Sequence, residues 1–333
     1  MEKSDLRVFM PASGPGMRGK KQRRPKLARF AYLVVFLFGS GLGTPTHAAV
    51  DTLTDFKPSP LTSAYGVVSQ VHFSSDLIDL KAGALVQSPE GTVKYFRFRE
   101  PVWVIGFKTE ILDSHGEPCR ENYLCHTFIS NQTPDERPLD HSAHGRQMSA
   151  IYSDAFTQEV RLPDGFGLYL DADEGLNWAP LFNNRQTVPA RVRMSVTVTL
   201  IREKHVSRPI RRLYSTLQSV KVPHLFFVPP GQHQRQSTFE LLFDGRIHFM
   251  GTHVHPYARS VELFNASRRE PVWKGTAKTN ETGEMIGMNV YSNPEGYPVH
   301  FGETYRITSL YDNPTNRDID AMAGLFIFYS VEE

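Results

Sequence analysis

Short runs rich in branched and aromatic residues, each closed by Pro, Gly, Asn or Asp, recur along most of this chain. VVSQVHF, KYFRFREPVWVIGFKTEIL, RVRMSVTVTLIRE, HLFFVPP, RSVELFNA, PVWKGTAK, TYRITSLYDN and MAGLFIFYSVEE are such runs. Residues of this kind suit a pleated, half-buried surface, and the closing residues suit turns. In the third run Arg191, Arg193 and Ser195 alternate with Val192, Met194 and Val196, the period-two pattern of a strand with one face in a core. No stretch carries a convincing 3.6-residue apolar period. The pattern predicts an all-β chain of β-sandwich or jelly-roll type.

The first fifty residues stand apart. Lys20, Lys21, Arg23, Arg24, Lys26 and Arg29 precede the apolar run Phe30–Leu42, and small residues at Ala48 and Ala49 follow. The run is shorter than the ~20 residues a membrane-spanning helix needs. Residues 1–48 therefore read as a signal peptide, which predicts an exported chain, periplasmic or secreted, with no membrane attachment after cleavage. An uncleaved anchor is the alternative. Roughly 285 residues then remain, enough for two domains of ordinary size. The basic, Pro-containing stretch from Lys204 to Pro223 separates two strong strand runs, which places two consecutive β-sandwich domains at 49–210 and 215–333.

The formal net charge of +2 includes the basic leader, so the rest of the chain is slightly acidic and offers no nucleic-acid footprint. Cys119 and Cys125 are the only cysteines. In an oxidising compartment the CRENYLC loop can close as a disulfide, with two thiols or a thiolate metal ligand as the competing readings. Asn131, Asn265 and Asn280 lie in N-x-S/T sequons.

The stretch HFMGTHVHPYARSVEL holds His253 and His255 one residue apart. Side chains at i and i+2 of a strand share a face, so the two imidazoles can converge on one metal ion. A third ligand must come from elsewhere, and Met322, at the head of the last apolar run, is a candidate. Two imidazoles and a soft thioether suit copper cycling between Cu(I) and Cu(II). A structural histidine pair and a core methionine are the plain alternatives.

VPPGQH (228–233), THVHPYARSVEL, PVHFGETYRITSLYDN and DAMAGLFIFY occur in an order and spacing that resemble the C-terminal domain of the copper type II, ascorbate-dependent monooxygenases. This is the family of peptidylglycine α-hydroxylating monooxygenase, and the resemblance covers about residues 222–333. It implies copper at His253, His255 and Met322, dioxygen activation there, a reductant such as ascorbate, and a small or apolar substrate. A non-catalytic copper-binding protein is the alternative. The family's second copper, in the first domain, is held by adjacent histidines and a distant third. Here LCHTFIS supplies His126 with Cys125 in place of one histidine, and LNWAPLFNNR supplies no third.

His141 and His144, in DHSAHG, are weaker ligand candidates, and His72 reads as a strand residue. The peptide-amidating branch holds a substrate carboxylate with an arginine before the histidine pair and Asn and Tyr after the methionine. The matching positions here are Gly251, Gly324 and Phe326, none of which forms a charge-assisted pair.

Overall fold

Residues 51–89, 93–119, 123–131, 151–172, 174–221 and 224–332 are described by a computed structural model. Every regular element among them is a strand, so the chain is all-β as its patterning predicts. The stretch 1–48 read as a signal peptide, and His141 and His144, lie outside the described residues.

The first half is a sandwich. One sheet orders Asp51–Leu53, Lys94–Phe98, Leu176–Asn183, Leu124–Asn131 and Ile151–Asp154 side by side; the other orders Arg211–Arg212, Phe166–Leu170, Val102–Asp113, Ala190–Val206, Gly66–Ser74 and Lys57–Pro58. In Ala190–Val206 the alternation works as read: Val192, Met194, Val196 and Val198 are buried, while Arg191 is exposed. Their partners across the core include Phe96, Phe98, Leu176 and Trp178. Trp178 is fully buried, and its Nε1–H donates to Thr127 Oγ1 at 2.7 Å, which satisfies the indole inside the core.

The second half has one sheet ordered Tyr214–Ser219, Ala323–Val331, Gly245–Val254 and Tyr291–Val299, and another ordered Gly231–Leu241, Glu303–Asn313, Ala258–Asn265, Glu270–Thr279 and Met285–Met288. The two central strands of the first of these, Gly245–Val254 and Ala323–Val331, are buried almost without interruption. A strand with both faces covered loses the apolar–polar alternation. Ile247, Leu325, Ile327 and Tyr329 belong to the second core, whereas Phe249, Phe326 and Phe328 belong to the first. The sheet is thus a wall shared by two cores. His253 projects from it.

Glu303 anchors the far side of the second half. Its carboxylate accepts from Arg268 Nε at 2.6 Å and Nη2 at 2.9 Å, from Tyr305 Oη at 2.8 Å and from Asn265 Nδ2 at 3.2 Å. Asn265 is fully buried in this network, so that sequon is structural. Burial alone would raise the Glu303 carboxyl, but hydrogen bonds from Arg268, Tyr305 and the His300 amide outweigh it and bring the pKa down to about 2. A carboxyl lowered by folding stabilises the protein fully above its ordinary value of 4.5, and the contribution is lost as pH falls toward 2. We therefore expect Glu303→Gln to lower stability at neutral pH by about 1–3 kcal/mol. Denaturant unfolding at pH 7 and pH 3 should show the gap between parent and variant narrowing at the lower pH.

Candidate metal centre

His253 lies one residue before the end of Gly245–Val254 and His255 directly follows that strand, with the two ring centroids 5.6 Å apart. The ladder with Ala323–Val331 pairs Gly251 with Phe326, His253 with Gly324 and Val254 with Ala323. Residues opposite each other in an antiparallel pair face the same way; the ladder ends at Val254–Ala323, and the positions of the next rung would be His255 and Met322. Tyr311 ties that rung: its hydroxyl accepts from the His255 amide at 3.0 Å and donates to the Met322 carbonyl. His253 Nε2 lies 3.3 Å from Met322 Sδ.

Cys125 and His126 arrive from the first half. Adjacent residues on a regular strand face opposite ways, yet here both reach the same place. The reason is a β-bulge: His126 pairs with Leu181 and Leu124 with Phe182, which leaves Cys125 as the extra residue. Cys125 Sγ lies 3.5 Å from His126 Nδ1 and 3.5 Å from His255 Nε2. The His126 and His253 rings meet edge to face with centroids 4.8 Å apart. Cys125, His126 and His253 each offer a ligand atom within 4.8 Å of the others. Residues assigned from the sequence to two copper sites therefore fall in one cluster, with Met322, His255, Cys125, His126 and His253 between 1% and 7% exposed.

Two carboxylates orient the histidine pair. His253 Nδ1–H donates to Asp154 Oδ2 at 3.0 Å, and His255 Nδ1–H donates to Asp320 Oδ2 at 2.7 Å. Each bond fixes the tautomer that leaves Nε2 as the free lone pair, the arrangement in which ligating histidines are held. Asp154 is fully buried at the end of Ile151–Asp154, where it also accepts from the Thr157 amide at 2.6 Å and the Phe156 amide at 2.8 Å. Asp320 is partly exposed and paired with Arg185, Nη2 to Oδ2 at 3.0 Å. Burial would raise Asp320, but the His255 hydrogen bond and the charges of His255 and Arg185 hold it well below the usual carboxylate range.

Burial likewise governs the donors. It lowers His126 well below the ordinary imidazole value, with the charges of His253, His255 and His224 adding to it. It lowers His255 despite the opposing hydrogen bond to Asp320. Burial pushes the Cys125 thiol up, with Asp154 and Asp320 adding and Arg185 opposing. The cluster thus keeps His126 and His255 as neutral imidazoles, the form that binds metal.

The expected Cys119–Cys125 bridge is not formed: both residues are thiols. The bulge turns Cys125 toward the histidines, while Cys119 packs against the first core. His72 is an exposed strand residue bonded to Thr197 Oγ1 at 2.8 Å. A Cβ at Gly251 would meet Phe249 and Thr157 in ordinary contact at 3.7 Å, and Phe326 stacks on Tyr152.

No family model and no curated protein matches the chain. Among solved structures it is similar to recombinant peptide:N-glycanase F, at 11% identity and a TM-score of 0.40, over 77% of this chain and 96% of that one. It is similar to PNGF-II at 8% identity and a TM-score of 0.37, over 79% of this chain and 65% of that one. A third likeness is to the major capsid protein P2 of bacteriophage PM2, at 8% identity and a TM-score of 0.29, over 78% and 98% of the two chains. Function therefore rests on the chain's own residues.

Imidazole, thiol and thioether donors without a carboxylate among them suit a soft or borderline transition metal, and copper fits that set. Cys125, His255 and Asp320 also stand in the order of nucleophile, base and orienting carboxylate. A thiol buried and pushed up in pKa is a poor nucleophile, and that order leaves two more histidines and a methionine without a part. Of the donors, Met322 is the weakest. Met322→Ala should reduce affinity on the order of tenfold, more for Cu(I) than for Cu(II), as read by competition against a Cu(I) chelator.

Asp154, Asp320, Arg185 and Tyr311 escaped the sequence reading. Asp320 had a signal, since it lies two residues before Met322 at strand spacing. Nothing in SDAFT points to Asp154.

Proposed function

We propose that the chain is an exported copper protein that holds its ion through His253, His255 and Met322. The observation that supports this most is the pair of separate carboxylates, Asp154 and Asp320, each holding one histidine at Nδ1 so that Nε2 is turned to a sulfur, His253 to Met322 and His255 to Cys125. Bound there, copper would supply a Cu(I)/Cu(II) couple. The residues supply its surroundings: Asp154 and Asp320 hold the rings, Tyr311 holds the backbone of two ligands together, and Tyr152, Phe128 and Phe326 exclude water from the side of the first core.

Of the two functional readings, a copper-binding protein without turnover is the better supported. The donors expected of a second, electron-storing copper lie in the first cluster, and all donors are buried. The monooxygenase-like reading keeps its own support in the His-His-Met trio of the resemblance. Oxygen consumption with copper and ascorbate separates them: none is expected above free copper. On either reading a glycine-extended peptide should not be hydroxylated, because Gly251, Gly324 and Phe326 offer its carboxylate no partner. Product mass in a panel with a phenethylamine and small apolar compounds tests this, and turnover of the peptide would overturn it.

A further inference from the structure

The position of Cys125 goes beyond a His-His-Met copper. Around one tetrahedral first-row ion, with sulfur at about 2.3 Å and imidazole nitrogen at about 2.0 Å, sulfur and nitrogen stand about 3.5 Å apart. Cys125 Sγ stands 3.5 Å from His255 Nε2 and 3.5 Å from His126 Nδ1, and Met322 Sδ stands 3.3 Å from His253 Nε2. These separations bring ring nitrogens from both halves of the chain to the two sulfurs. The bulge at Cys125 has the corresponding local effect: without it, either the thiol or the His126 ring would face away. Cys125 is 4% exposed, so the thiol is turned inward to the donors and not toward solvent.

We propose that Cys125 binds, as thiolate, the same ion as His253 and Met322, with His126 and His255 on either side of its sulfur, so that the chain has one closed thiolate–imidazole–thioether centre and no separate second copper. The inference rests on the copper reading above. On binding, the S–H bond breaks, the metal–sulfur bond forms and one proton leaves to solvent, with no change in oxidation state. A donor shell filled from both halves leaves no position for an external ligand, which accounts for a centre that holds its metal and does not oxygenate.

Co(II), which does not oxidise thiolate, is the probe. Titrated anaerobically into the metal-free purified chain, it should produce a near-ultraviolet thiolate-to-metal charge-transfer band that saturates at one equivalent. Cys125→Ser should lose the band completely while still binding Co(II) through the histidines, and Cys119→Ser should keep it. The parent titration needs no variant to fold, and near-ultraviolet circular dichroism checks that each variant does. Bound Co(II) with no such band, the same band in Cys125→Ser, or saturation only at two equivalents would overturn the single thiolate centre. In the first and third of these outcomes the copper reading survives. A chain that binds neither Co(II) nor Cu(I) would overturn both.

Discussion

Replacing His253 or His255 by alanine is expected to lower Cu(I) affinity by well over a hundredfold, which is more than loss of an outer-shell partner causes. Each substitution removes a borderline nitrogen donor that the fold has already oriented. His253 is fixed by Asp154 and paired across the ladder with glycine; His255 is fixed by Asp320 and held at its amide by Tyr311. Competition against a Cu(I) chelator reads the effect. His72→Ala is the control, because that exposed histidine bonds Thr197 on the first sandwich and should leave copper binding unchanged. Wild-type affinity in both site variants would show that these imidazoles do not hold the ion.

Asp154→Ala is expected to do the most damage of any change outside the donors, and to do it twice over. Its carboxylate orients His253, so metal affinity should fall roughly 10- to 100-fold. It also accepts the Phe156 and Thr157 amides in a fully buried turn, and leaving those donors without a partner costs about 1–3 kcal/mol each. Asp154→Asn separates the two roles. The amide oxygen can still accept in the turn, so most of the stability should return, while its nitrogen side cannot accept from His253 Nδ1–H and the affinity loss should remain. Chemical denaturation of the metal-free protein and chelator competition, run on both variants, give the two readings. An alanine variant as stable as the parent would contradict the structural role, and an asparagine variant with full affinity would contradict the orienting one.

The legible and illegible parts of this chain divide along physical lines. Alternation in Ala190–Val206 was plain because one face meets the core and the other meets water. The closeness of His253 and His255 followed from strand geometry alone, and Met322 from its place at the head of an apolar run. Gly245–Val254 and Ala323–Val331 gave no alternation, because each is covered on both sides, and so the wall they form between two cores could not be read.

The bulge at Cys125 was equally hidden. A single unpaired residue leaves no compositional trace, yet it decides whether Cys125 and His126 face one way or two. The resemblance alone offered the pair as ligands of a second copper. Asp154 and Asp320 are separated from the histidines they hold by 99 and 65 positions, distances over which a single sequence carries no pairing signal.

The copper content of the purified chain, measured by elemental analysis after chelator washing, tests the central claim most directly. The single donor cluster predicts about one tightly held copper per chain, and none when His253 and His255 are both replaced. A parent chain that holds no copper, or a double variant that holds as much as the parent, would contradict the account.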